Sequence, residues 1–199
     1  MQALIDAAAA QSEHAPWAYL LELWSQPNPA AAARAAAGCA FAQADGLYCV
    51  RGLARLDRLV ALERPVLLRL RAGPAQAWAV LLGADSRRVR VWLGGRRVEI
   101  DRITLPRHWN GEYAALWRGP TGLTLPLGAD SARLAWLQRE LGPGYVAQAG
   151  AADDATLQAA VRRLQADRGL AVDGVPGPET LMALAADDGP GPRLAERLD

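Results

Sequence analysis

Cys39 and Cys49 close the run CAFAQADGLYC, and they are the only thiols in the 199-residue chain. Thiols at such a spacing can ligate a metal, attack a carbonyl or close a loop. A tetrahedral zinc site needs about four ligands, and the two histidines, His14 and His108, lie far away in sequence. No metal site is expected. A thiolate nucleophile needs a base such as imidazole to take its proton near neutral pH. A Cys39–Cys49 disulfide across a short loop is the reading taken, and it implies an oxidising compartment. Two buried free thiols are the alternative.

Composition narrows the partners. Half of the chain is hydrophobic and its net charge is +1, so a core can be built and no excess of cations is present to neutralise phosphates. Nucleic acid is not expected as a partner. No run of about 20 apolar residues spans a bilayer, and MQALIDAAAAQSEHAPW lacks the basic and apolar regions of a signal peptide. The chain is then either cytosolic or a piece of a longer one. No phosphate-binding Gly-x-x-x-x-Gly-Lys motif occurs, and no cofactor is expected.

The elements that must position these residues come in three groups. WAYLLELW (17–24) reads as a short helix broken by QPNP, and AAAARAAAGCAFAQADG (30–46) as a helix ended by Gly46. GLARLDRLVALERP puts Leu53, Leu56, Leu59, Val60 and Leu62 at helical spacing before Pro65. The texture then changes to short strand-like runs, PVLLRLR, AWAVLLGA, RRVRVWLG, RRVEID and EYAALWR, with GG as a hairpin turn. Helices followed by an antiparallel meander define an α+β unit over residues 1–120. Gly and Pro mark a linker at 121–130. Three short helices follow at 131–190, with Leu134, Leu137 and Leu141 striping the first and Leu157, Val161 and Leu164 the second. The tail, 191–199, is expected to fray.

Residues 169–184, GLAVDGVPGPETLMAL, carry the densest local code. Asp173 and Gly174 supply a positive-φ turn, Val175 is expected to plug the bundle core, and Gly177 and Pro178 launch the last helix. Thr180 can bond back to the turn. The longer run LQADRGLAVDGVPGPETLMAL resembles the signature of the peptidoglycan-binding domain family of three-helix type. Val161, Gln165, Gly169, Leu170, Asp173, Gly174, Gly177, Pro178 and Thr180 fall on its pattern, and Gln138 in LAWLQREL fits its first helix. The resemblance covers about residues 131–186. It departs at GAADD, where the family often has an earlier Asp-Gly-x-Phe-Gly turn.

The first domain resembles the C39 (bacteriocin-processing) peptidases, which are papain-like. In that family the central strand opens with the catalytic His. Here the stretch reads Gln76, Ala77, Trp78, Ala79, and neither His14 nor His108 occupies that place. The resemblance therefore implies a papain/C39-like pseudo-peptidase. Together, LLELW, GLYC, LERPVLLRL, AWAVLLG and EYAALWRGP resemble the periplasmic region of the general secretion pathway protein A family, of type II secretion. That resemblance implies a preceding ATPase and membrane span, and peptidoglycan and the secretin or other secretion components as partners. Self-association is left open.

The expected function is binding. The resemblance implies a shallow groove beside the turn, with Arg163, Gln165, Asp173, Gly174, Gly177 and Thr180 as candidate contacts for peptidoglycan. Arg162 and Arg163 also read as a solvated face. Trp78, Trp92 and Trp117 are expected in the core, Trp136 in the core or at its rim, and Trp109 exposed as a possible sugar contact. The alternatives are a cysteine peptidase or peptidoglycan hydrolase with a wall-targeting domain, and a protein–protein adaptor.

Overall fold

The computed structural model describes residues 1–39, 46–119, 131–146, 154–188, 191–195 and 198. The chain divides into two units, one made of residues 1–42, 48–116 and 190–199, the other of 43–47 and 117–189. The first opens with helices α1 (Gln2–Ala9), α2 (Ala15–Leu23) and α3 (Pro29–Ala37). Pro29 sits at the first turn of α3, where the missing N–H costs nothing. α3 stops at Gly38 and not at Gly46 as expected; residues 40–45 lie outside the described ones. Cys39 follows at φ 52°.

Then come β1 (Leu47–Leu53), α4 (Leu56–Ala61), β2 (Val66–Ala72), β3 (Ala75–Ala84), β4 (Arg88–Leu93), β5 (Arg96–Asp101) and β6 (Glu112–Arg118). The six strands form one sheet in the order β1-β6-β2-β3-β4-β5. This corrects the simple meander: the last strand returns between β1 and β2. The β2–β3, β2–β6, β3–β4 and β4–β5 pairs are antiparallel. β2 and β3 are buried along most of their length, while β4 alternates and β5 is mostly exposed. Charged residues on an edge strand such as β5 discourage further pairing. Gly94 and Gly95 both hold positive φ in the β4–β5 hairpin, as the GG reading requires.

The tail is the second departure. Residues 191–195 do not fray but strap the first unit. Leu194 N–H donates to Glu63 O, Ala195 N–H to Leu82 O, and Ala84 N–H to Ala195 O. The buried Arg64 guanidinium lies over the Trp24 ring and donates to Pro192 O. Ala195 bridges Gly83, next to a register shift in β3. A Cβ on Gly83 would come within 2.8 Å of Ala195 O and 2.9 Å of Leu198 Cδ2, so only glycine admits the strap.

The second unit holds α5 (Ser131–Tyr145), kinked at Gly142-Pro143, with α6 (Asp154–Asp167) and α7 (Pro178–Asp188). Leu137 and Leu141 on α5 and Leu157, Val161 and Leu164 on α6 are buried, as the helical stripes require, and so are Leu181 and Leu184 on α7; the Leu134 side chain and the expected linker at 121–130 lie outside the described residues.

Candidate functional site

α6 ends at Asp167, and the chain crosses to α7 through residues 168–177. That crossing is organised by one amide. Gln165 is 2% exposed. Its Oε1 accepts from Gly174 N–H at 2.8 Å and Asp173 N–H at 3.1 Å. Its Nε2 lies 2.8 Å from Asp173 Oδ1, 3.0 Å from Val175 O and 3.1 Å from Thr180 Oγ1. Two protons thus serve three acceptors, and Thr180 shares the load by reaching Val175 O at 3.4 Å. Asp173 Oδ1 also accepts Val175 N–H at 2.8 Å. That backbone bond, then the Gln165 amide, hold the Asp173 carboxyl below the usual carboxylate range, and Arg162 adds a smaller pull.

The geometry sorts the candidate residues. Gln165 and Thr180 are buried behind the turn, so they hold it and do not face solvent. Asp173 is exposed at its surface. Gly174 has φ +77°, as the turn reading requires, and a Cβ there would meet Gln158 Cγ at 2.7 Å and the Arg162 guanidinium at 3.0 Å. Gly177 is different, because a Cβ there would meet nothing within 4 Å and the position is open. Arg163 lies on the α5 side, donating to Gly144 O and stacking 5.6 Å from the Tyr145 ring centroid. The cation beside the turn is Arg162, whose side chain donates to Gln158. Val175 corrects the core-plug reading: it is 53% exposed, as is its near neighbour Val172 at 55%. The Gln165 amide already fixes the turn, so no apolar plug is required. The sequence reading missed this pair of exposed valines and the placement of Arg162.

In the first unit Cys39 and Cys49 are joined by a disulfide, with Cα atoms 5.3 Å apart. His108 points Nδ1 at Arg71 O, 3.1 Å away, and His14 precedes α2. Trp78, on the strand where the C39 resemblance places a histidine, packs edge-on against Trp17 with centroids 5.9 Å apart. Trp109 corrects another expectation. It is buried, and its indole N–H donates to Glu112 O at 2.7 Å. Trp117 and Trp136 are buried as well, while Trp92 is half-buried and stacks on Tyr19 at 4.8 Å.

A helix-and-sheet unit with papain-like order and a bundle built on an Asp-Gly turn define a C39-like domain joined to a peptidoglycan-binding type of bundle. Residues 9–119 match the family model described as "GspA, peptidase C39-like domain", and the chain belongs to that family. Residues 132–184 match a second model, "Putative peptidoglycan binding domain". The chain is 31% identical over 203 residues to General secretion pathway protein A of Aeromonas hydrophila, spanning 98% of this chain and 35% of that protein. Its fold is similar to the crystal structure of a periplasmic domain of the EpsAB fusion protein of the Vibrio vulnificus type II secretion system. That match has a TM-score of 0.55 at 23% identity and covers 91% of this chain and 81% of the other.

Proposed function

We propose that this chain is a non-catalytic periplasmic module that docks on peptidoglycan and helps a type II secretion ATPase assemble or localise the outer-membrane secretin. The observation that carries the docking step is the 173–178 turn. It is clamped from behind by Gln165 and Thr180, and presents Asp173, Val172, Val175 and open space at Gly177 to solvent. Charge of both signs beside exposed methyl groups suits a peptide of small residues bearing amines and carboxylates. Arg162, packed over Gly174, supplies the cation, and Arg163 flanks the site from the α5 side. A few neutral hydrogen bonds at about 1 kcal/mol each make one site weak, and repeated ligands along a polymer make it useful.

Two features support the absence of peptidase chemistry. Both sulfurs are tied in the disulfide, so neither is a thiolate, and Trp78 stands on the strand where the resemblance calls for an imidazole. The disulfide also suits an oxidising compartment. A relative named for general secretion supports the secretion role.

Sedimentation with purified sacculi tests the docking step. The chain is expected to pellet, and Arg162→Glu with Val175→Glu is expected to leave most of it in the supernatant at unchanged melting temperature. A chain that stays in the supernatant, or a double variant that pellets like the parent, contradicts the reading.

A further inference from the structure

In the first unit a cavity of about 250 Å³ opens between α2 and the sheet, lined by Glu13, Trp17, Arg51, Arg69, Trp78 and Glu112. Two guanidiniums lie against one indole there. Arg51, on β1, is 5.6 Å from the Trp78 centroid and 5.3 Å from that of Trp17. Arg69, on β2 and directly across from Trp78 on β3, is 5.0 Å from the Trp78 centroid. The tryptophans hold both cations by their faces, an attraction that leaves the N–H edges of each guanidinium available. Of those edges, Arg51 spends one on Ala37 O and Arg69 one on Gln76 Oε1. Among the described residues neither arginine has a carboxylate partner. The nearby Glu112 is already paired with Arg71 at 2.5 Å, and Glu13, mostly exposed, faces His14 at 3.8 Å.

Two like charges gathered on one ring repel, and a bound anion relieves that repulsion. A carboxylate is the planar partner that such forks fit. The volume admits one or two small residues, and among the described residues Ala37 is the only aliphatic side chain in the lining.

We infer that this cavity, at the place where a papain-like peptidase would hold its catalytic base, is a receptor for the free α-carboxylate of a short peptide ending in a small residue. Resting on the wall-docking reading above, the source is a peptidoglycan stem peptide. The first unit would then grip the polymer the second unit binds, and each site would raise the effective concentration of the other.

The test uses the full chain and soluble dipeptides, followed by NMR shifts of the arginine Nε–H and tryptophan indole signals. N-acetyl-D-Ala-D-Ala is expected to bind saturably and to shift Arg51, Arg69 and Trp78, weakening as salt rises. Its C-terminal amide, and R51Q or R69Q with the free acid, are expected to bind at least tenfold more weakly. The melting temperature reports whether each variant folds. E13Q, which removes the carboxylate at the lip, is expected to bind severalfold tighter and keeps the test open should an arginine variant unfold. Equal binding of acid and amide, full binding by folded R51Q/R69Q, or weaker binding by E13Q overturns the proposal. Binding of the L,L dipeptide alone also overturns it, by assigning the cavity to a protein C terminus. Because no sacculus is used, failure here leaves docking through the 173–178 turn untouched, whereas failure of that docking leaves the carboxylate site in place and removes only the argument for its source.

Discussion

Replacing Gln165 with Leu removes the amide while keeping the side-chain volume. The buried bonds it loses run to Gly174 N–H and Thr180 Oγ1. A buried group left without its partner costs about 1–3 kcal/mol. The bonds to Asp173 and Val175 lie nearer solvent, where water replaces them at about 0.5–1 kcal/mol each. The expected loss is therefore about 3–8 kcal/mol. At about 0.05–0.15 kcal/mol per residue, a bundle of roughly 55 residues has only about 3–8 kcal/mol in total. Gln165→Leu should leave much of the second unit unfolded at 25 °C while the first unit stays intact. Hydrogen exchange at the amides of α6 and α7, with those of β2 and β3 as the internal control, reads this directly. A loss below about 1 kcal/mol in the second unit would refute the claim that one amide holds the turn.

Reducing the Cys39–Cys49 bridge, which spans ten positions, should cost the first unit about 3 kcal/mol; native mass with and without reductant should differ by two hydrogens, and full alkylation of the unreduced chain would contradict the bridge. Among the described residues, deleting 191–199 removes three backbone hydrogen bonds and two buried leucines. Set against the ordering entropy of the strap, this should lower first-unit stability by about 2 kcal/mol, and Gly83→Val should act similarly by expelling Ala195. An unchanged melting temperature in both would show that the strap contributes nothing. Because the Asp173 carboxyl is held below its ordinary range by Val175 N–H and Gln165, the unfolded chain protonates it first as pH falls. Its contribution is complete above about pH 4 and is lost as pH drops through the folded-state value. Asp173→Asn should flatten that acid arm of second-unit stability, and an acid arm identical to the parent's would rule Asp173 out as its source.

Local code was the most legible part of the chain. Asp173-Gly174, Gly177-Pro178 and Gly94-Gly95 each fix backbone torsions by their own chemistry, and the structure uses them as read at Gly174, Pro178 and the GG hairpin. Long-range pairing was not legible. Leu53, Leu56 and Leu59 carry a helical spacing, yet 47–53 is extended because it pairs with β6, some sixty residues on. The strap was hidden for a similar reason: its bonds come from backbone groups, and GPGPRLAERLD has the composition of a free end. Trp109 and Val175 exchanged their expected places because partners decide burial. The indole N–H finds Glu112 O, whereas the turn needs no apolar anchor. Trp78 signalled the missing base in the sequence, but the arginines gathered around it come from β1 and β2 and carry no motif.

The most direct test of wall docking is co-sedimentation of the full chain with purified sacculi across a concentration series, with Arg162→Glu/Val175→Glu as the paired variant. Saturable pelleting by the parent and a loss of most of it in a variant that melts at the parental temperature are expected. Parental protein that remains in the supernatant, or a folded variant that pellets just as well, would contradict docking through the 173–178 turn.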